Sequence, residues 1–157
     1  MIETRIPPPV YALATAGLIW LADREFPVLR VIAVPWNRLG WPVIALGVGI
    51  DLYAVLFFTM RRTTVNPMRP QDTSELVVGG LNSVSRNPMY LGLVLSLSGW
   101  ALLLGSPGGW LLVWIFARVL VIVQIAPEEA VLREKFGEHY VKYSRRVSRW
   151  FGRVSKR

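Results

Sequence analysis

The residues of this chain best suited to chemistry lie in two short stretches that are far apart in the sequence. The first is Ser85-Arg86-Asn87-Pro88-Met89-Tyr90-Leu91-Gly92, and the second begins at Pro127-Glu128-Glu129. An arginine, an amide and a phenol at the start of a helix could hold a polar ligand that bears a carboxylate. The two glutamates could recognise a cationic group such as an amine or a sulfonium centre. We expect the two stretches to meet at one face of a membrane.

Each stretch also has a simpler interpretation, which remains open at this point. Arg86 could anchor a helix to lipid headgroups, with Tyr90 in an aromatic belt at the membrane interface. Glu128 and Glu129 directly follow Pro127, so they could occupy the first turn of a helix, where the helix dipole favours carboxylates.

The composition indicates a membrane protein. The 157 residues are 53% hydrophobic, with a mean hydropathy of +0.40 and a net charge of +8. The hydrophobic residues form blocks and the charges lie between and after them, so the basic balance favours membrane orientation and anionic lipids over nucleic acid. The chain has no cysteine and one histidine. This excludes a thiolate nucleophile and Cys- or His-cluster metal sites, and we predict no metal.

The hydrophobic blocks predict an all-α polytopic membrane protein in which residues 1–157 form a single domain. We expect about four transmembrane helices, a polar cytosolic loop and an amphipathic tail helix that lies on the membrane surface and is broken near Gly137. The small residues Gly92, Ser96 and Gly99 recur at helical spacing and predict close helix packing. The predicted spans are 8–25, 42–60, 88–105 and 109–126, the loop is 61–87 and the tail is 128–157.

The distribution of Lys and Arg predicts the orientation. With four spans, both termini and the 61–87 loop share one side of the membrane, and this side carries most of the positive charge. The positive-inside rule therefore places both termini and the candidate site in the cytosol.

Two charges lie inside predicted spans, where each costs at least about 2.5–3.5 kcal/mol on insertion scales. Asp51 and Arg118 reach similar depth, so we predict an ion pair between them that either fixes helix packing or lines a substrate cavity. If the fourth helix continues without interruption, Arg118 and Glu129 share one of its faces. Gln124 and Glu128 form an i, i+4 pair, so this helix carries a polar stripe toward the cytosol.

The two stretches and the C-terminal pattern from Tyr140-x-x-Tyr143 to Arg149-Trp150 resemble the isoprenylcysteine carboxyl methyltransferase family. That family belongs with the phospholipid N-methyltransferases in a superfamily of small integral membrane enzymes that use S-adenosylmethionine. The resemblance covers about residues 61–151. It implies a small, bacterial-type enzyme of the inner membrane.

The resemblance also implies roles for individual residues. The residues that it assigns to the cofactor pocket are Ser74, Glu75, Leu76, Val77, Asn87, Pro88, Met89, Tyr90 and Glu128. Gln124 falls where eukaryotic members carry an arginine that is implicated in binding the prenylcysteine carboxylate. We place Arg86, Tyr90 and Glu129 in the catalytic site, and Gln124 and Arg118 at the substrate.

Two residues depart from the family pattern. Asn87 replaces the usual histidine, and an amide can donate and accept hydrogen bonds but cannot titrate. Gln124 replaces the arginine, which removes the fixed charge that would hold a substrate carboxylate. The predicted activity is therefore methyl transfer from S-adenosylmethionine to a lipidic or small amphipathic acceptor at the cytosolic face, with the acceptor left open.

The sequence leaves two alternatives. Membrane sterol and steroid reductases use NADPH and have a similar Arg-His-Pro-x-Tyr segment and C-terminal Tyr-x-x-Tyr pattern, but they are generally larger. A non-enzymatic scaffold with a basic, lipid-binding tail is the second alternative. The buried polar stripe of the fourth helix argues against the scaffold, because a helix that faces lipid would not keep one.

Overall fold

The computed structural model describes residues 6–26, 30–60 and 76–152, and this part of the chain is built from helices. Five α-helices follow one another: α1 (Pro8–Glu25), α2 (Gly40–Met60), α3 (Pro88–Leu104), α4 (Pro107–Leu120) and α5 (Ala126–Ser144). Short 3₁₀ turns at Trp36–Leu39 and Gly80–Ser83 precede α2 and α3. The predicted all-α class is confirmed, and the helix bounds lie close to those predicted for the four hydrophobic blocks.

Helices α1, α3 and α4 pack together around one apolar core. Ile19 of α1, Ala101 of α3 and Leu120 of α4 are all fully buried in it. The indole N–H of Trp100 donates a hydrogen bond of 3.1 Å to the backbone carbonyl of Ala16, which ties α3 to α1 at mid-height. The helix α3 is therefore the central element, and its N-terminus is held from several sides.

Helix α2 runs antiparallel to α3 and packs closely against it through glycines. Gly40 lies beside Gly99, and Gly47 lies beside Gly92 and Ser96. A Cβ atom at Gly99 would lie 2.6 Å from the carbonyl oxygen of Gly40, so no larger residue fits at this crossing. The predicted packing through the small residues of α3 is confirmed.

Replacing Gly47 with alanine is expected to loosen the α2–α3 pair. The added Cβ would lie 2.6 Å from the carbonyl oxygen of Gly92, so the backbones must move apart, at a cost of about 1–3 kcal/mol. Gly49 lies two residues further along α2 and meets nothing within 4 Å, so Gly49→Ala is the matched control. Thermal unfolding in detergent measures the difference, and equal midpoints for the two variants would contradict this packing.

Two helices of the described ranges are long and apolar enough to cross a membrane, namely Trp36–Phe57 and Pro107–Ser144. Helix α3 is apolar but shorter. We take the apolar part of the second candidate to end at Ala126, before Pro127 and the glutamates. The structure thus supports a membrane protein, and the number of four spans stays a prediction.

The predicted ion pair between Asp51 and Arg118 is wrong. The carboxylate of Asp51 packs against Gly92 of α3, and one of its oxygens has no hydrogen-bond partner among the described residues. The side chain of Arg118 is exposed. A similar predicted depth in the membrane does not bring the two side chains together, because α2 packs on α3 and not on α4.

One π-helical turn, Val121–Ile125, links α4 to α5. The fourth helix therefore does not stop at Pro127 but continues into α5. A π turn holds one residue more than an α turn, so positions beyond it are rotated by about 100° relative to a regular helix. Arg118 and Glu129 consequently do not share a face: Arg118 is exposed and Glu129 is buried. That expectation assumed an uninterrupted helix.

Helix α5 is broken where the sequence predicts, at Gly137, which has φ 51° and ψ −125°. After α5, the segment 145–152 turns back over the residues that precede α3. The backbone N–H of Arg86 donates to the carbonyl of Ser148 at 3.0 Å, and that of Gly152 donates to the carbonyl of Val84 at 2.9 Å. This returning segment closes the end of the bundle at which α3 and α5 begin.

Candidate functional site

The first part of the candidate site is the turn that enters α3. Pro88 occupies the first turn of the helix and Asn87 the N-cap position. The Asn87 side chain makes no cap hydrogen bond, however, and its amide instead donates to the carbonyl of Arg149 at 3.1 Å. The hydroxyl of Ser85 accepts the Asn87 backbone N–H at 3.1 Å and lies 3.4 Å from the same carbonyl. The entrance of α3 is thus bonded to the C-terminal segment.

The second part is a pair of side chains from the two helix starts. Tyr90, one turn inside α3, donates its hydroxyl hydrogen to Glu128 of α5 at 2.5 Å. Tyr90 is 5% exposed, and it packs in the apolar core beside Ile125. Burial raises the pKa of Glu128 to about 8, although the hydrogen bond from Tyr90 opposes this shift. The Glu128 carboxyl can therefore change its charge near neutral pH.

The third part is a cluster in which two arginines share one carboxylate. Arg149 donates to both oxygens of Glu129, from Nε at 3.1 Å and from Nη2 at 2.7 Å, and Arg86 reaches the same carboxylate at 3.2 Å. Arg86 also donates to the hydroxyl of Tyr140 at 3.2 Å. The Arg86 and Glu129 side chains are only 13% and 10% exposed. This cluster, which we call the Glu129 cluster, comprises Arg86, Glu129, Tyr140 and Arg149.

The Glu129 cluster has unused donor capacity. The Nε atom of Arg86 is buried and has no hydrogen-bond partner among the described residues. Two guanidiniums against one carboxylate also leave the cluster with an excess of one positive charge. Since a buried donor without a partner costs roughly 1–3 kcal/mol, this atom is well suited to an anionic ligand group.

Gln124 lies one turn before Glu128, in the π-helical turn, and is 1% exposed. Its amide nitrogen donates to the carbonyl of Ile6 at 3.2 Å, so the side chain faces the beginning of α1. Its amide oxygen is buried and accepts no hydrogen bond from the described residues. Gln124 therefore presents a free acceptor atom on the side of the helix that also carries Glu128.

The structure brings together most, but not all, of the predicted site residues. Arg86, Asn87, Tyr90, Glu128 and Glu129 meet at one end of the bundle. Arg118 is exposed and does not join them. Ser74 and Glu75 lie outside the described residues. Of the other residues assigned to the cofactor, Leu76, Val77 and Met89 are half-buried, and Leu76 packs against Tyr140, Tyr143 and Val147.

Arg149 and Tyr140 were part of the recognised pattern but were not assigned to the site. Tyr140 follows the break of α5 at Gly137, and the place of Arg149 depends on the reversal of the chain after α5. Periodicity along one helix does not indicate such a reversal. The sequence signal that could have indicated Arg149 is its position six residues after Tyr143, in the Tyr140-x-x-Tyr143 pattern.

Apolar helices that end in a buried group of carboxyl, phenol and guanidinium side chains are the arrangement expected of a membrane enzyme whose site lies near the interface. A family model described as phospholipid methyltransferase matches residues 36–139, which is more than half of the chain. The chain therefore belongs to the phospholipid methyltransferase family and is a membrane methyltransferase. The matched region includes the helix starts that carry Tyr90 and Glu128, but it ends before Arg149.

The chain is also similar to one curated protein. An uncharacterized protein of Haemophilus influenzae is 48% identical over 62 residues, which make up 40% of this chain and 98% of that protein. No solved structure matches the chain. The site residues are therefore interpreted from their own geometry.

Proposed function

We propose that the protein transfers the methyl group of S-adenosylmethionine to a lipidic or small amphipathic acceptor at the cytosolic face of the membrane. The observation that carries this proposal is the joint position of the Tyr90–Glu128 pair and the Glu129 cluster, where the apolar helices end. Within a family of membrane methyltransferases, this is the group of buried polar side chains that could bind a charged methyl donor.

The side chains suit the chemical groups of S-adenosylmethionine. Glu128 offers a carboxylate, which favours a sulfonium cation, and Tyr90 orients that carboxylate through its hydrogen bond. The unpartnered Nε of Arg86 suits the carboxylate of the methionine part. When bound, this donor supplies a methyl group on a positively charged sulfur, which an acceptor can displace in line.

The contribution of the protein to such a reaction is alignment and exclusion of water. Glu128 and Arg86 would fix the donor from two sides, and the segment 145–152 covers this end of the bundle. The free amide oxygen of Gln124 is the group that we propose for contact with a hydrogen-bond donor of the methyl acceptor. The substrate role of Arg118 stays a prediction, because its exposed side chain lies outside the cluster.

Calorimetry on the detergent-purified protein tests the proposal with three ligands: S-adenosylmethionine, S-adenosylhomocysteine and NADPH. We expect the two adenosyl ligands to bind and NADPH not to bind. The Glu128→Ala variant should lose more affinity for S-adenosylmethionine than for S-adenosylhomocysteine. Glu134→Ala is the matched control, because Glu134 is an exposed carboxylate of the same helix. Binding of NADPH alone would favour the reductase alternative, and binding of none by folded protein would exclude the cofactor site.

A further inference from the structure

An exposed apolar pair lies where the segment 145–152 meets the residues that precede α3. Phe151 is 73% exposed and Val84 is 37% exposed. The hydrogen bond from the Gly152 N–H to the Val84 carbonyl, at 2.9 Å, holds the two segments side by side. A phenylalanine with this exposure is costly in water, so its surroundings decide whether the turn is stable.

Two observations fix the depth of this pair relative to the membrane. Val84 comes four residues before Pro88, where the apolar helix α3 begins. The 3₁₀ turn Gly80–Ser83, just before Val84, also contacts the end of the candidate span Trp36–Phe57. A Cβ at Gly80 would lie 2.8 Å from the Tyr53 hydroxyl and 3.2 Å from the Phe57 ring. The residues from Gly80 to Val84, and Phe151 with them, therefore lie at the level where the apolar helices leave the bilayer.

The segment 145–152, which carries Phe151, is also cationic. Arg145 and Arg146 directly follow helix α5, and both are exposed. Neither makes an ion pair with an acidic residue in the described ranges, and the nearby Glu129 is already bonded to Arg86 and Arg149. In the sequence, Arg153, Lys156 and Arg157 follow directly. An exposed aromatic ring beside unpaired arginines at this depth complements a layer of anionic headgroups above acyl chains.

We propose that the turn formed by residues 145–152 docks on the anionic lipids of the surrounding leaflet, with Phe151 and Val84 in the interface and Arg145 and Arg146 on lipid phosphates. The consequence reaches the site, because Arg149 lies in this turn. Its guanidinium holds Glu129, and its carbonyl holds Asn87. Lipid charge would therefore set how firmly the site is closed, whatever methyl donor or acceptor the enzyme uses.

Site-specific fluorescence tests the docking without any cofactor. The chain has no cysteine, so Phe151→Cys offers a single position for an apolar fluorophore. Full-length protein is placed in nanodiscs of zwitterionic lipid, with and without anionic lipid, and quenching by a lipid with an interfacial quencher is measured. Glu138→Cys is the matched control, because the Glu138 side chain is 84% exposed and lies beyond the Gly137 break of α5.

We expect strong quenching at position 151 that grows with anionic lipid, and weak quenching at position 138. Adding Arg145→Gln and Arg146→Gln should lower the ratio of docked to free turn about fivefold for each arginine. Both residues are exposed, so an unchanged unfolding midpoint will show that the fold is kept. Quenching at position 151 that matches the control, or that does not depend on lipid charge, would overturn the proposal. Since no methyl donor is present, this outcome is separate from failure of the proposed function.

Discussion

Replacing Glu129 with alanine is expected to destabilise the protein by about 3–5 kcal/mol, because it leaves two guanidiniums, one of them buried, without their shared carboxylate. The side chains of Arg86 and Glu129 are both almost fully enclosed, so solvent cannot replace the lost pairing. The midpoint of thermal unfolding in detergent should fall by on the order of 10 °C. Donor binding should be lost as well, since Arg86 would no longer be held in place.

Glu138→Ala is the matched control for Glu129→Ala. Glu138 pairs with Lys142 at 3.9 Å on the same helix, but both side chains are largely exposed, so its removal should leave the midpoint nearly unchanged. If Glu129→Ala and Glu138→Ala unfold at the same temperature, the Glu129 cluster does not stabilise the fold. The Glu129→Gln variant separates charge from shape, because it keeps the volume and an amide oxygen that can still accept hydrogen bonds, but it carries no charge.

The affinity for S-adenosylmethionine relative to S-adenosylhomocysteine is expected to rise with pH from about pH 6 and to level off above about 8. Burial raises the pKa of Glu128 to about 8, so near neutral pH the carboxyl is mostly protonated in the free protein. A sulfonium cation favours the ionised form, and binding below this pKa must release a proton. Linkage then gives an increase of up to about tenfold per pH unit.

The ratio of the two ligands is the decisive quantity. S-adenosylhomocysteine lacks the positive charge on sulfur but shares the amino and carboxyl groups, so the contacts of these groups are common to both ligands. Glu128→Gln should lower the ratio and remove the part of its pH dependence that comes from Glu128. Any dependence that remains belongs to the ligands, because a sulfonium lowers the pKa of the amino group near it. Tyr90→Phe should move the midpoint to higher pH, because the hydrogen bond from Tyr90 lowers the pKa of Glu128. A ratio that stays flat in the unaltered protein would contradict an electrostatic contact between Glu128 and the sulfonium.

The hydrophobic blocks could be located from the sequence, because residues close to each helix end mark where the helix begins or stops. Pro8 and Pro88 mark helix starts, and the αL glycine Gly105 ends α3. The joining of Arg86 and Tyr90 with the two glutamates could also be predicted, since each group lies at the end of an apolar block. These features depend on residues that are close in sequence or on the shared level of the interface.

The remaining features depend on tertiary packing, which local sequence patterns do not indicate. Asp51 was paired with Arg118 by depth alone, but depth does not reveal which helices are neighbours. The Asn87 amide does not cap α3 but bonds to the carbonyl of Arg149, which lies 62 residues further along the sequence. The role of Arg149 required the reversal of the chain after α5.

The π-helical turn Val121–Ile125 makes the number of residues in the fourth helix as important as their identity. A deletion of one residue within this turn could restore regular α-helical hydrogen bonding and still rotate everything that follows by about 100°. Glu128 would then leave Tyr90, and Glu129 would leave Arg149, although no side chain of the site had been altered. In this part of the chain, a small insertion or deletion should therefore be far more harmful than a substitution of one apolar residue by another.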